Sequence, residues 1–362
     1  DCPPPLLNDP EYPVGTASPA TCINGCCLPC PFADVFYREN TLYHGYLSAV
    51  LIRAIATITS VICMISFLLG GIRRSLTQRL LFMCSVGFFV FSLPGFIVLF
   101  PSREALLCDN PILPSSLLIL GTLMVACWVS ILIYGLHAQV VWRSDIIYRH
   151  FWLQLIFGLG VPIFLLCMIL GYHGIVAGFG NLCNIRWDIS NALFFYPLAG
   201  IAFPACLIHA ITLIRIFITR RRINASCNTG TTESPPKKAH QLRRWGSQSF
   251  WTLRILRQHW RVVALGVYYC FIVLFYWLFY FLQSHRLEDW LGRVDNVSGW
   301  LTCLYQGGTQ DECHEVARPH IPPLVLAVFV EVLSSLTGIV FFMIFVFRFS
   351  VLRNWIALYH RI

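Results

Sequence analysis

Seven apolar segments, each long enough to cross a lipid bilayer, constrain what this chain can fold into more than any other feature. A helix needs about 20 apolar residues to span the hydrocarbon core. Only 12% of the 362 residues are charged, whereas a soluble domain carries about 25%. The sequence therefore predicts an all-α membrane protein, a bundle of seven transmembrane helices. The expected spans are residues 46–70, 80–101, 115–141, 152–171, 190–218, 262–283 and 322–347.

The charges of the connecting loops are sorted by sign. Six Lys/Arg and fourteen Asp/Glu lie in residues 1–45, 102–115, 172–190 and 284–321. Eighteen Lys/Arg and two Asp/Glu lie in residues 71–79, 142–151, 219–261 and 348–362. Because cytoplasmic loops accumulate Lys and Arg, we expect the amino terminus outside and the carboxyl terminus inside. The net charge of +9 then reflects inner loops that face anionic lipid and does not indicate nucleic acid.

Three segments outside the bundle have recognisable compositions. Residues 1–45 form a short, Cys-rich outer segment. Residues 348–362 mix apolar and basic side chains, which predicts a cytoplasmic amphipathic helix on the inner membrane surface. The third outer loop, 284–321, is long enough to form a small cap and carries a glycosylation sequon at Asn296.

Prolines inside the spans predict kinks. Pro94 lies in span 2, Pro162 in span 4, and Pro197 and Pro204 in span 5. Proline removes a backbone donor and clashes with the preceding turn, so we expect these three helices to bend. Spans 6 and 7 contain no interior proline.

Nine of the sixteen cysteines fall in the outer stretches. Cysteines crowded on the oxidising face of a membrane predict a disulfide framework. Cys303 and Cys313 lie in one loop and can pair with each other. The amino-terminal group consists of Cys22, Cys26, Cys27 and Cys30, and its spacing leaves zinc binding as an alternative to disulfides.

Two opposite charges lie at matching depths in the first and last spans. Arg53 is about seven residues into span 1 and Glu331 about nine residues into span 7, which puts both roughly 10–14 Å below the outer surface. First and last helices are neighbours in a closed ring, and charges in a membrane usually pair or face a cavity. We therefore predict an Arg53–Glu331 ion pair, either as a fixed strut between the helices or as a ligand contact.

Aromatic residues crowd the outer halves of spans 5 and 6. A subset that faces inward would line a pocket for a small molecule or a lipid. The candidates are Phe195, Tyr276, Trp277 and Tyr280, with Glu331 from span 7. The alternative is that these rings belong to the aromatic belt at the membrane surface.

Several classes of membrane protein can be compared with this pattern. The chain has only two lysines, Lys237 and Lys238, and both lie in an inner loop, so a retinal protein with a Schiff-base lysine in span 7 is excluded. We find no Ser/His/Asp set and no metal-spaced His/Glu motif in the spans, so we expect neither an enzyme nor a cofactor. A seven-helix transporter or channel remains the alternative to a receptor, with one charge pair and the histidines His137 and His209 as its intramembrane polar groups.

The segment from Cys22 to Phe32 reads Cys-Ile-Asn-Gly-Cys-Cys-Leu-Pro-Cys-Pro-Phe and is followed closely by Phe36 and Tyr37. It resembles the entry to the helical domain of fungal and slime-mould Frizzled/Smoothened-like receptors. Gly-Leu-Gly-Val-Pro at 158–162 is similar to a Gly-x-Gly-x-Pro pattern of cAMP-type and secretin-type receptors. The 45 residues before span 1 are too few for the cysteine-rich Wnt-binding domain of Frizzled proteins. The Lys-Thr-x-x-x-Trp signature after span 7 is reduced to Trp355.

The resemblance implies a plasma-membrane G-protein-coupled receptor that transmits an extracellular or lipid signal of unknown identity to a heterotrimeric G protein. Cys108 and Cys183 would pair, as in most seven-helix receptors, unless each pairs with an amino-terminal cysteine. Basic and apolar residues of the inner face suit the carboxyl-terminal helix of a Gα subunit, although a lipid surface would select a similar composition. These residues are Arg73, Arg74, Ile147, Arg257, Arg261 and Trp355. We expect Trp355 to stack on Arg257 or Arg261 and hold the inner face shut.

Overall fold

The computed structural model of the protein describes residues 7–8, 22–23, 26–27, 36–38, 41–69, 76–99, 112–144, 146–176, 184–185, 187–228, 260–279 and 294–346. Seven helices in these residues are long and apolar enough to cross a membrane, so the predicted all-α, seven-span fold is confirmed. Spans 1 to 7 are His44–Leu69, Thr77–Ile97, Ile112–Trp142, Phe151–Gly171, Asn191–Arg221, Trp260–Phe279 and Leu324–Phe345.

The helices that contain these spans extend beyond some of the expected limits. The first helix begins at Thr41 and the second at Leu76. The helix of span 5 runs to Asn228, ten residues beyond the expected end at 218. Arginines are good helix formers, and at the membrane surface their long side chains reach water, so the helix continues past the hydrocarbon. The predicted amphipathic helix 348–362 lies outside the described residues.

Short elements connect the spans. The strand Cys26–Cys27 pairs antiparallel with both Leu7–Asn8 and Cys22–Ile23, and Ile175–Val176 pairs with Asn184–Ile185. Single helical turns precede spans 4 and 5. They are Ile146–Arg149 and Trp187–Ser190.

Span 3 is the central helix of the bundle. It packs against spans 2, 4 and 5, and its Trp128 is fully buried. A Cβ atom at Gly158 in span 4 would lie 2.5 Å from the Trp128 ring, so this crossing requires glycine. Span 1 lies between spans 2 and 7, and Phe275 of span 6 contacts Phe329 of span 7. The outer helices thus close around span 3.

π-Helical turns precede two of the prolines for which a bend is predicted. Ile156–Gly160 precedes Pro162, and Asn191–Phe195 precedes Pro197. A wider turn relieves the clash between the proline ring and the carbonyl four residues earlier, and it leaves fewer backbone groups without a partner. Pro94 and Pro204 lie inside helices that continue without such a turn.

Span 7 has a one-residue irregularity at Leu336 although it has no proline. One helix runs over Leu324–Ser335 and the next over Thr337–Phe345. The Ser334 and Ser335 hydroxyls both donate to the Glu331 carbonyl, at 2.9 and 2.6 Å. Hydroxyls that bond to carbonyls of their own helix compete with the backbone ladder and bend it. The irregularity was not predicted from the sequence.

The described part of the loop between spans 6 and 7 forms the cap that its length predicted. Its two helices, Val294–Tyr305 and Gln310–Ala317, are joined by a Cys303–Cys313 disulfide. The second helix begins with a capping box, in which Thr309 and Glu312 satisfy each other's backbone amides.

The cap has its own apolar core, which includes the segment before span 1. Phe36 packs on Trp300 with ring centroids 4.9 Å apart, and both side chains are about 1% exposed. Tyr37 donates to the Pro322 carbonyl at 2.7 Å, and burial raises the pKa of its phenol. The cap is therefore fastened to the starts of spans 1 and 7.

Candidate ligand cavity and inner face

The structure brings Arg53 and Glu331 together. The Arg53 Nη2 atom lies 2.5 Å from Glu331 Oε1, and Arg53 Nε donates to Ser335 Oγ at 3.1 Å. The guanidinium also lies 5.5 Å from the centroid of the Phe91 ring. The Arg53 side chain is 4% exposed and that of Glu331 is 27% exposed. The arginine is therefore enclosed by spans 1, 2 and 7, whereas the carboxylate keeps an open side.

That open side faces a cavity of about 180 Å³ between the helices. Its wall is mainly apolar and comes from spans 1, 2, 3, 5, 6 and 7, with Ile185 of the second outer loop at one end. Representative wall residues are Phe88, Ile119, Thr122 and Val273. A concave, apolar site with a few polar groups is the usual form of a small-molecule site.

Three of the predicted pocket residues line this cavity, namely Tyr276, Trp277 and Glu331. Phe195 lies behind them, with its ring centroid 6.4 Å from that of Tyr276 and 5.8 Å from that of Trp277. Its neighbour Phe194 lines the cavity instead. The π-helical turn Asn191–Phe195 changes the helical register here, which sequence periodicity does not reveal. Tyr280 lies outside the described residues.

Sequence reasoning did not identify the contributions of spans 2 and 3, such as Phe88 and Thr122, to this cavity. Both spans are apolar on every side, so no hydrophobic periodicity distinguishes a lipid face from a cavity face. The one available signal was the polar Thr122 within the apolar run.

At the end of the bundle opposite the cap, Arg261 joins spans 6 and 7. Its Nη1 atom donates to the Phe345 carbonyl at 3.3 Å, and its guanidinium lies 5.6 Å from the Trp260 ring. The predicted partner Trp355 lies outside the described residues, as do Arg73, Arg74 and Arg257. Ile147 is half-buried in the turn before span 4, where its carbonyl accepts from the Gln154 side chain.

Two histidines occupy contacts between helices in the half of the bundle away from the cap. His137 Nδ1 lies 2.8 Å from Thr212 Oγ1 and links span 3 to span 5. The buried His209 ring of span 5 lies against Gly266 of span 6, where a Cβ atom would be 2.5 Å from His209 Cε1. Spans 5 and 6 therefore approach closely only because residue 266 has no side chain.

The outer face of the cap carries exposed charges. Glu315 pairs with Arg318 at 3.1 Å and with Arg38 at 3.2 Å, and these guanidinium groups hold the pKa of its carboxyl below the ordinary value. Asn296, in the first turn of Val294–Tyr305, is on the same cap.

The cysteine predictions divide by position. Cys303 and Cys313 form the predicted disulfide, whereas Cys30, Cys108 and Cys183 lie outside the described residues. The backbones of Cys22, Cys26 and Cys27 lie in the short paired strands. Among the side chains that the structure describes, no group of three or more His, Cys, Asp or Glu residues has metal-site geometry.

The sequence of this bundle is similar to that of a known protein. No family model matches the sequence. The chain is 25% identical to a protein named G protein-coupled receptor gprM from Aspergillus fumigatus, over an alignment of 381 positions that covers 98% of this chain and 76% of that protein. The similarity therefore concerns the whole seven-helix bundle of this multi-pass membrane protein and is not confined to one motif.

Proposed function

We propose that this chain is a G-protein-coupled receptor of the plasma membrane, with its cap outside and its Arg-rich loops inside. The observation that carries the proposal is a seven-span bundle whose similarity to a protein named as such a receptor extends over 98% of the chain. The charge sorting of the loops supports the orientation.

Signalling in this proposal is a shift between two arrangements of the bundle. In the closed one, Arg261 holds span 6 to the Phe345 carbonyl of span 7. In the open one this contact is broken, and the inner ends separate to form a groove. A groove with an apolar floor and a basic rim accepts an amphipathic helix, here the carboxyl-terminal helix of a Gα subunit.

The ligand in this proposal occupies the cavity beside Glu331. The cavity touches six of the seven spans, so its occupant contacts helices that move relative to one another. A ligand shifts an equilibrium only through a difference in its affinity for the two states, and contacts to several moving helices supply such a difference.

The finer type that we propose is Frizzled/Smoothened-like. Support comes from the Cys22–Phe32 segment and the Gly158–Pro162 pattern. The proposal includes pairing of Cys108 with Cys183 and among the amino-terminal cysteines, and glycosylation of Asn296.

Nucleotide exchange on a panel of purified Gα subunits tests the proposal. The receptor is reconstituted in lipid nanodiscs, and empty nanodiscs serve as the control. We expect faster exchange with at least one Gα subunit. Absence of exchange with every subunit, together with solute flux in receptor-containing vesicles, would favour the transporter alternative.

A further inference from the structure

We propose that the cavity beside Glu331, called the Glu331 cavity below, binds a small neutral alcohol of about eight carbons or a molecule of equivalent chemistry. The assignment of this molecule as the activating signal rests on the proposed function. The binding itself does not, and the experiment below separates the two.

The size of the cavity sets the size of the ligand. Its volume is about 180 Å³. An apolar protein cavity of about 150 Å³ holds one benzene molecule, and drug-sized ligands occupy about 300–1,000 Å³. The Glu331 cavity therefore encloses a group of roughly seven to nine non-hydrogen atoms, and because the cavity is open on one side, a larger ligand would extend out of it.

The two charges of the wall cancel, so the cavity favours a neutral ligand. Arg53 and Glu331 are the only Arg, Lys, Asp or Glu residues in the described wall, and they neutralise each other at 2.5 Å. A charged ligand would lose its hydration on entry without meeting an unpaired counter-charge, which is unfavourable in an apolar site. Carboxylates and ammonium ions are therefore disfavoured alike.

Hydrogen-bond accounting at the Glu331 end favours a donor on the ligand. Three hydroxyls of the wall, on Thr122, Ser334 and Thr337, donate within their own helices, and their oxygens retain only lone pairs. Thr122 donates to the Leu118 carbonyl at 2.7 Å, Ser334 to that of Glu331 at 2.9 Å, and Thr337 to that of Ser334 at 2.6 Å.

The ion pair leads to the same conclusion. Arg53 directs Nε to Ser335 and Nη2 to Glu331 and is only 4% exposed. The Glu331 carboxylate, which is an acceptor, is the member of the pair with the larger exposed fraction. An alcohol hydroxyl donates to such a site, whereas an ether or an ester of the same size has no hydrogen to donate.

Photolabelling identifies the binding site directly. The full chain in lipid nanodiscs is irradiated with an eight-carbon alcohol that carries a diazirine, and the labelled peptides are mapped by mass spectrometry. We expect label on wall residues such as Phe88, Ile119 and Val273. Label confined to lipid-facing residues such as Phe271 and Leu274, which are about half exposed, would overturn the proposal.

Competition identifies the chemical class. Four competitors are compared at equal concentration in the membrane. 1-Octanol, 1-methoxyheptane and octylammonium have nine non-hydrogen atoms, and octanoate has ten. We expect 1-octanol to displace the cavity label at about one tenth of the concentration that the others need, because loss of one buried hydrogen bond changes affinity by about that factor. Equal displacement by the ether, the carboxylate or the ammonium ion contradicts the assigned class.

Matched variants separate specific labelling from partition into lipid. Ala126→Leu fills the cavity from span 3, whereas Ala210→Leu makes the same change on the exposed side of span 5. We expect only the first to abolish cavity labelling. Thermal unfolding verifies that each variant is folded, and Ala126→Val, which fills less of the cavity, replaces Ala126→Leu if that variant is unstable. Unchanged cavity labelling in the folded cavity variant rejects the site.

The two proposals fail in different ways. Cavity labelling without any nucleotide exchange on Gα keeps the binding site and rejects the alcohol as a receptor signal. Nucleotide exchange without cavity labelling keeps the receptor function and rejects the ligand class.

Discussion

At the scale of single residues, the Arg53–Glu331 pair makes a testable contribution to stability. We expect Arg53→Met or Glu331→Met alone to lower the free energy of unfolding by about 3 kcal/mol, because each leaves an unpaired charge in an apolar site. The double variant restores most of this loss, since two apolar side chains leave no charge unpaired. The measurement is thermal unfolding of the purified protein in detergent.

A surface pair provides the control for this prediction. Arg38 and Glu315 are 59% and 51% exposed, so Arg38→Met leaves the unfolding midpoint nearly unchanged. A double Met variant that is less stable than both single variants would show that the pair does not act as a unit.

The residues of the site were predictable to different degrees. Matching depth in the first and last helices was sufficient to predict that Arg53 and Glu331 meet, because a charge in lipid has few alternatives to a partner. The rings of Tyr276 and Trp277 were identified by composition. Phe194 lines the cavity in place of the predicted Phe195 because of a local change of helical register, which composition does not encode.

At the scale of helices, the close approach of spans 5 and 6 depends on one glycine. We expect Gly266→Ala to destabilise the protein by about 1–3 kcal/mol, because the new methyl group overlaps the His209 ring and the helices must move apart. His209→Ala in the same chain makes room and recovers part of the loss. Thermal unfolding gives the midpoint of each variant.

Gly200 supplies the matched control for this prediction. It lies on the exposed side of span 5, and a Cβ atom there meets nothing within 4 Å. Gly200→Ala is therefore expected to be neutral or slightly stabilising, since alanine favours helix over glycine. Equal effects of the two substitutions would mean that the crossing of spans 5 and 6 is not limited by residue 266.

The disulfide of the cap leads to a separate prediction about local stability. Cys303 and Cys313 are ten positions apart, and a disulfide across a loop of that length stabilises by about 2–4 kcal/mol. We expect Cys303→Ser with Cys313→Ser to increase amide hydrogen exchange in 294–317, while exchange in spans 2 to 4 stays unchanged because the core of the cap includes none of their residues. Cys167→Ser, at an exposed free cysteine of span 4, is the control, and faster exchange throughout the bundle would mean that the cap is not an independent unit.

Helix bends show why sequence predicts elements better than their shapes. The positions of Pro162 and Pro197 were sufficient to predict bends, because proline removes a backbone donor wherever it lies. The irregularity of span 7 at Leu336 follows two serine hydroxyls, of Ser334 and Ser335, that bond to the Glu331 carbonyl. The same serines would donate elsewhere on a helix with other neighbours, so their effect depends on the packed structure.

At the scale of the whole molecule, Arg261 is expected to control the balance between the closed and open bundle. A hydrogen bond from a charged group contributes about 1.5–3 kcal/mol, so removing it with Arg261→Gln raises basal nucleotide exchange on a responsive Gα subunit by about tenfold or more. Arg221→Gln, which removes an exposed arginine over Phe217 on span 5, is the control. Basal exchange that is unchanged in Arg261→Gln contradicts the role of this contact in closing the inner face.

The orientation of the bundle determines which half is the receptor's outer face, and two sequons on opposite sides of the membrane test it. Asn296-Val-Ser is on the cap, and Asn224-Ala-Ser lies at the far end of the span 5 helix. Glycans are added only to the side of the membrane that becomes extracellular, so the proposed topology predicts a glycan on Asn296 and none on Asn224. In protein expressed in eukaryotic cells, Asn296→Gln should abolish the gel shift produced by endoglycosidase, and Asn224→Gln should leave it intact. The reverse pattern would place the Arg-rich loops outside, and a Gα subunit could then not reach the inner ends of spans 6 and 7.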